Sequence, residues 1–212
     1  MTATSETLIM TLISGIVSAC IGLCIGSSLI LMKGSKNSYQ QFIYAILSWL
    51  INTCRSIPFI ILMVLVFPLS RIIVGTSIGT TAAIVPLTLS AIPFYARITE
   101  SAFLEVNHQK IVMLETLGAS SFQVLRFGYI NESKEALYRN TVLLFINLIG
   151  YSTMAGAIGG GGLGDLAVRY GFYRNETNIL LASVVLLVII VQIIQVVGNK
   201  HNDYLLQKYG KR

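Results

Sequence analysis

The sequence predicts an all-α membrane protein with five transmembrane helices, and two observations carry that expectation. Hydrophobic residues make up 54% of the 212 positions and charged ones only 11%, against about 25% charge in soluble domains, and the mean hydropathy is +0.74. The stretch "ILLASVVLLVIIVQIIQVV", Ile179 to Val197, runs without a charge; as a helix rising about 1.5 Å per residue it crosses the hydrocarbon core. A membrane barrel would alternate polar and apolar positions along strands of about ten residues, whereas these runs are apolar all round.

The first span covers about residues 8–32, Leu8 to Met32. It lacks a basic start, exceeds the about 7–15 apolar residues of a signal peptide and runs directly to Lys33 and Lys36, so it reads as a retained helix. The other spans are about 49–69 (Trp49 to Leu69), 78–97 (Ile78 to Arg97), 141–158 (Thr141 to Ile158) and 179–197. Together they make residues 1–212 a single multi-pass domain.

A net charge of +6 suggests nucleic acid in a soluble domain, but here the basic residues punctuate the spans and set orientation instead. If the first helix runs inward, one side holds Lys33, Lys36, Arg97, Lys110, Arg126, Lys134, Arg139, Lys200, Lys208, Lys211 and Arg212, and the other only Arg71, Arg169 and Arg174. By the positive-inside rule the N-terminus is expected outside and the C-terminus in the cytoplasm. Cys20, Cys24 and Cys54 read as packing residues, and with no histidine or carboxylate beside them no metal site is expected. No catalytic or nucleotide motif is present, so neither a cofactor nor an enzymatic activity is expected of this chain.

Residues 98–138 form the longest hydrophilic interval, on the expected cytoplasmic side. Val106, Ile111, Val112, Leu114 and Leu117 recur at near-helical intervals up to Gly118, a natural helix terminator. Ser120 and Gln123 then spell a capping box ahead of Phe122, Val124, Leu125 and Phe127. This helix, glycine turn and helix fits either an amphipathic hairpin on the bilayer surface or a partner's docking site.

In "YSTMAGAIGGGGLGDL", Tyr151 to Leu166, the glycines at 159, 161 and 164 spell G-x-G-x-x-G. That pattern binds dinucleotides only between a strand and a helix. Here it follows a membrane helix, and Asp165 stands where a phosphate-binding loop needs lysine. Ser152, Gly156, Gly160 and Gly164 instead recur every four residues, as on a close-packing small-residue face. Beyond about Gly159 the same glycines loosen the helix into an outer loop.

Gly118 with its helical flanks, between the third and fourth spans, resembles the coupling (EAA) loop of ABC importer permeases. "RSIPFIILM" from Arg55, "VGTSIGTTAAIVPLTLSAIPFYAR" from Val74, "LGAS" from Leu117 and "IGYSTMAGAIGGGGLG" from Ile149 resemble the methionine-uptake branch of that family, over about residues 8–198. The resemblance implies a type I importer permease fold and a homodimer in the bacterial cytoplasmic (inner) membrane. It also implies two copies of a cytoplasmic ATP-binding subunit, which hydrolyse the ATP, and an extracytoplasmic substrate-binding lipoprotein. The cargo it implies is methionine, L- and D-, moved by alternating access.

By the same resemblance, Leu114, Glu115, Gly118 and Ala119 couple to the ATPase, while Tyr151 and Met154 line the pathway as its constriction. The loop departs from the family pattern at both ends. Glu-Ala is replaced by Val112 and Met113, and Leu-Pro by Ile130 and Asn131.

Arg55 costs about 2.5–3.5 kcal/mol if it lies at the membrane centre. It either satisfies carbonyls freed by Pro58 or stands at the pathway, meeting a substrate carboxylate. Three alternatives remain: an importer of another amino acid, a gradient-driven carrier or channel, and a subunit that assembles without transporting. Carriers favour paired repeats or intramembrane carboxylates, and the spans hold no clear acid, Glu100 standing at an expected inner end.

Overall fold

The computed structural model describes residues 2–35 and 37–209, so Lys36, Lys211 and Arg212 of the charge asymmetry lie outside it. All regular structure among the described residues is helical. Helix α1 (Thr2–Lys33) packs along α4 (Thr80–Leu104) through small residues spaced four apart. The Ser14 hydroxyl donates to the Ile84 carbonyl at 3.3 Å and that of Ser18 to Thr88 at 3.2 Å. A Cβ on Gly26 would lie 2.8 Å from the Ala96 carbonyl oxygen, so the two backbones approach as closely as small residues permit.

The expected second span is not one rod. Helix α2 (Ser38–Ser56) and helix α3 (Phe59–Val74) meet at a bend of 107°. The cause is local. Ile57 precedes Pro58 and is driven out of the helical region, to φ −79 and ψ 123, by clash with the proline ring.

Past α4, a short α5 (His108–Thr116) and α6 (Ser121–Gln123), continued by a π-helical segment Val124–Ile130, lead to α7 (Lys134–Ala155). A broken segment holding α8 (Gly162–Asp165) then connects to α9 (Thr177–Tyr209). Helices α1, α4, α7 extended to Gly160, and α9 up to Lys200 are each long and apolar enough to cross a membrane, and the bent α2–α3 pair makes up to five spans.

Met10, Met63, Leu87, Tyr95, Leu144 and Leu148 form the buried centre between α1, α3, α4 and α7. Only 6% of the apolar window of α9 is buried within the chain, which explains why that stretch is uncharged on every face. Two acids stand near helix ends, outside the expected spans 8–32 and 78–97. Glu6 lies in α1, and Glu100 lies within α4, buried.

Candidate functional site

At one end of the bundle the glycine-rich stretch folds the chain back onto α7. The period of four does not continue as one helix face. Gly159, Gly161 and Gly162 adopt φ of +98, +76 and +77, a region costly for side-chain-bearing residues, and there the helix breaks. Ser152, Gly156 and Gly160 are all buried, but Gly160 belongs to the turn and Gly164 to α8. The small residues therefore serve the return of the chain. A Cβ on Gly156 would lie 2.4 Å from the Asp165 nitrogen, and one on Gly164 2.4 Å from the Thr153 carbonyl oxygen.

Two residues that sequence reasoning passed over hold this segment. The Gly162 N–H donates to the Glu6 carboxylate at 2.8 Å, and the Leu163 N–H donates to the Thr7 hydroxyl at 2.9 Å. The first turns of α1 thus cap α8 across 156 positions of sequence. On the other side the Gly79 N–H donates to the Gly159 carbonyl at 2.8 Å. A cavity of about 570 Å³ beside the cap is lined by Glu6, Thr80, Gly161, Asp165 and Arg169, with Asp165 and Arg169 ion-paired. Glu6→Ala is expected to cost about 1–3 kcal/mol, the penalty for orphaning a buried donor, read as a lower melting temperature of the detergent-solubilised protein. Glu6→Gln, which keeps an acceptor, retains most of the stability.

Tyr151 and Met154 stand one turn apart near the end of α7. Tyr151 turns inward and stacks on Phe59, with ring centroids 4.7 Å apart and planes within 10°, whereas Met154 is 47% exposed on the single chain. Phe59 begins α3, immediately beyond the α2–α3 bend, and Arg55 occupies the last turn of α2 just before it. Arg55 is exposed and makes no hydrogen bond or ion pair among the described residues. Pro58 lies outside the α2 helix, so Arg55 bridges no proline-freed carbonyl, although a cation there still complements the helix C-terminus.

At the opposite end, α5 and α6 form the hairpin expected around Gly118. Gly118 takes φ +81; its N–H donates to the Glu115 carbonyl at 2.9 Å, and that of Ala119 to Leu114 at 3.1 Å. This paired pattern is a Schellman closure. Ser120 and Gln123 form a reciprocal capping box. Buried Ile111 fills the space over Gly128, where an added Cβ would lie 2.8 Å from its Cδ1, and Lys110 pairs with Glu132 at 2.5 Å. The outer side of the hairpin presents Met113, Leu117 (77% exposed) and Phe122. Leu114 and Ala119 are half-buried, and Glu115 and Gly118 are exposed. Glu115 and Ala119 also line a second cavity, of about 570 Å³, toward the end of α1. On its wall, burial pushes the Tyr129 phenol above its ordinary range and the Glu115 charge adds to the shift.

The chain matches the binding-protein-dependent transport system inner membrane components over residues 20–210. The chain belongs to that family. It is 47% identical over 149 residues to the probable D-methionine transport system permease protein MetI of Vibrio cholerae serotype O1, across 70% of this chain and 66% of that protein. It is 43% identical over 167 residues to the same-named protein of Pasteurella multocida, across 79% of this chain and 75% of that one. The methionine import system permease protein MetP of Bacillus subtilis is 39% identical over 172 residues, across 80% and 78%.

In three dimensions the chain superposes on a chain of the inward-facing MetNI methionine ABC transporter with a TM-score of 0.92 at 40% identity, covering 95% of this chain and 94% of that one. An amino acid ABC transporter with histidines, with a TM-score of 0.72 at 18% identity and coverage of 98% and 92%, shares the fold alone. The fold is that of a type I ABC importer permease, and the permease is a multi-pass protein of the bacterial inner membrane.

Proposed function

We propose that this permease imports methionine, L- and D-, as a homodimer powered by two cytoplasmic ATP-binding subunits and supplied by an extracytoplasmic substrate-binding lipoprotein. The observation that carries the reading is the likeness to the MetNI chain at 40% identity over 95% of the residues. Relatives named for methionine transport support the same substrate. The N-terminus lies outside and the C-terminus in the cytoplasm, as the charge asymmetry favours.

In that orientation the α5–Gly118–α6 hairpin faces the ATPase. Leu114, Glu115, Gly118 and Ala119 form the docking elbow, supported by its closed hydrogen bonding and the exposed Met113, Leu117 and Phe122. Tyr151 and Met154 constrict the pathway; the exposed thioether suits an apolar amino acid side chain. Arg55, at the α2–α3 bend, meets the substrate carboxylate. Ser152, Gly156 and Gly160 pack the outer closure.

Uptake by proteoliposomes holding the permease, its ATP-binding subunit and the binding protein tests this directly. ATP-dependent accumulation of labelled methionine is expected, and a folded, ATP-hydrolysing complex that moves neither enantiomer overturns the substrate. Met154→Ala is expected to lower uptake about tenfold, equivalent to about 1.4 kcal/mol of barrier, with ATP hydrolysis retained. Unchanged uptake in that variant removes Met154 from the pathway.

A further inference from the structure

Glu100 belongs to neither the pathway nor the docking elbow, yet it is the one charged side chain found buried among the described residues, at 1% exposure. Its Oε2 lies 2.5 Å from the Arg97 guanidinium, and its Oε1 accepts from the Tyr44 hydroxyl at 2.8 Å. The same guanidinium donates to the Ser48 hydroxyl at 3.3 Å. Tyr44 and Ser48 are one turn apart on α2, and Arg97 and Glu100 one turn apart on α4. The four side chains form a clamp between the two helices.

The position of this clamp gives it a role beyond adhesion. Glu100 lies one turn before the end of α4 at Leu104, from which the chain passes directly into α5 of the docking hairpin. Ile51 is the single residue of α2 buried within the chain, so little apolar packing fixes how α2 is set against α4. Apolar contact is also non-directional, whereas charge-assisted hydrogen bonds have defined geometry. A buried ion pair adds little net stability after desolvation, but it can specify register. Helix α2 runs from the clamp to the 107° bend, and Phe59, which begins α3 beyond that bend, stacks on Tyr151.

We propose that Tyr44, Ser48, Arg97 and Glu100 are positioning residues that transmit movement of the docking hairpin, through the end of α4, to α2–α3 and the Phe59–Tyr151 stack. The proposal rests on the reading of this chain as an ATP-driven dimeric permease, but not on the identity of its cargo.

The test uses the permease–ATPase complex with Cys20→Ser, Cys24→Ser and Cys54→Ser. Nitroxides are placed in separate samples at Leu104, which ends α4, and at Leu65 in α3, 49% and 66% exposed. Distances between the two protomers are read with and without ATP. In the parent both pairs move. In Tyr44→Phe, which removes one hydroxyl and leaves the ring, the Leu104 pair still moves while the Leu65 response shrinks. Substrate moved per ATP falls about fivefold, the low end of measured coupling effects, and the melting temperature stays within about 2 °C.

Glu100→Gln, which loses the ion pair with Arg97 while keeping an acceptor for Tyr44, gives the same separation. A Leu65 response in both variants equal to the parent's overturns the clamp while leaving the transport reading intact. Parallel loss of both responses and of thermal stability overturns it as well, leaving only a structural contact. A parent whose Leu104 pair does not respond to ATP overturns both readings, and failure to move methionine with normal distance changes overturns only the cargo.

Discussion

Gly164→Ala is expected to abolish uptake and to lower sharply the amount of folded permease recovered. The added methyl would lie 2.4 Å from the Thr153 carbonyl oxygen and 2.5 Å from its Cα. Both are backbone atoms of α7, so no side-chain rotation relieves the clash. The return segment must instead move away from α7, and the bonds holding it do not stretch to follow. The Leu163 and Gly162 N–H groups leave Thr7 and Glu6, and the Gly159 carbonyl leaves Gly79. Overpacking of this kind costs about 3 kcal/mol, and each buried donor left unpaired adds about 1–3 kcal/mol. The matched control is Gly150→Ala, where a Cβ meets nothing within 4 Å and the chain is helical, so the melting temperature is expected to hold. Thermal unfolding of the two purified variants decides the matter. A Gly164→Ala protein that melts with Gly150→Ala shows that the return segment is not close-packed.

Helix type and approximate span positions were legible because the bilayer imposes a composition that no other environment requires. The hairpin at Gly118 was legible for a different reason: its stop and start signals are local, and the Schellman closure and the Ser120–Gln123 capping box each lie within a few residues. What the sequence could not reveal was which distant groups meet. The Pro58 break was the partial exception. In the sequence Pro58 suggests freed carbonyls inside one helix as one alternative, whereas the restriction it places on Ile57 ends the helix and turns the chain through 107°.

The four-residue glycine period suggests a single face for a related reason. Positive φ at three glycines is invisible in a periodicity count, and it splits the period between two elements packed on each other. The same small-residue period in Ser14, Ser18, Gly22 and Gly26 was present in the sequence and marks the actual α1–α4 contact. Glu6 and Thr7 gave no local sign of their role, since a helix-capping oxygen normally lies beside the helix it caps and not 156 residues away.

The departures of the hairpin from its family pattern also take on a physical meaning. Val112 and Met113 are exposed while Ile111 turns inward, so the substitutions alter the presented surface and leave the hairpin's packing intact. Asn131 donates its N–H to the Gly128 carbonyl, a bond that a proline there could not make.

Arg97→Leu is expected to be among the most damaging changes away from the glycine return. It removes the cation paired with a carboxylate that is 1% exposed, and breaking a buried pair from one side typically costs about 3–5 kcal/mol. The Tyr44 hydroxyl still donates to Glu100, but a neutral donor does not replace the lost charge. Neutralising the partner separates the causes: Arg97→Leu/Glu100→Gln removes the unpaired charge, keeps an acceptor for Tyr44 and recovers most of the melting temperature. A double variant as unstable as Arg97→Leu alone assigns the damage to lost packing of the arginine stem and ends the electrostatic account. If the charge is the cause, the recovered protein folds, binds its ATPase and hydrolyses ATP, but remains poor at transport because the two helices are no longer set by directed bonds. Stability and coupling, lost together in Arg97→Leu, then come apart in the double variant.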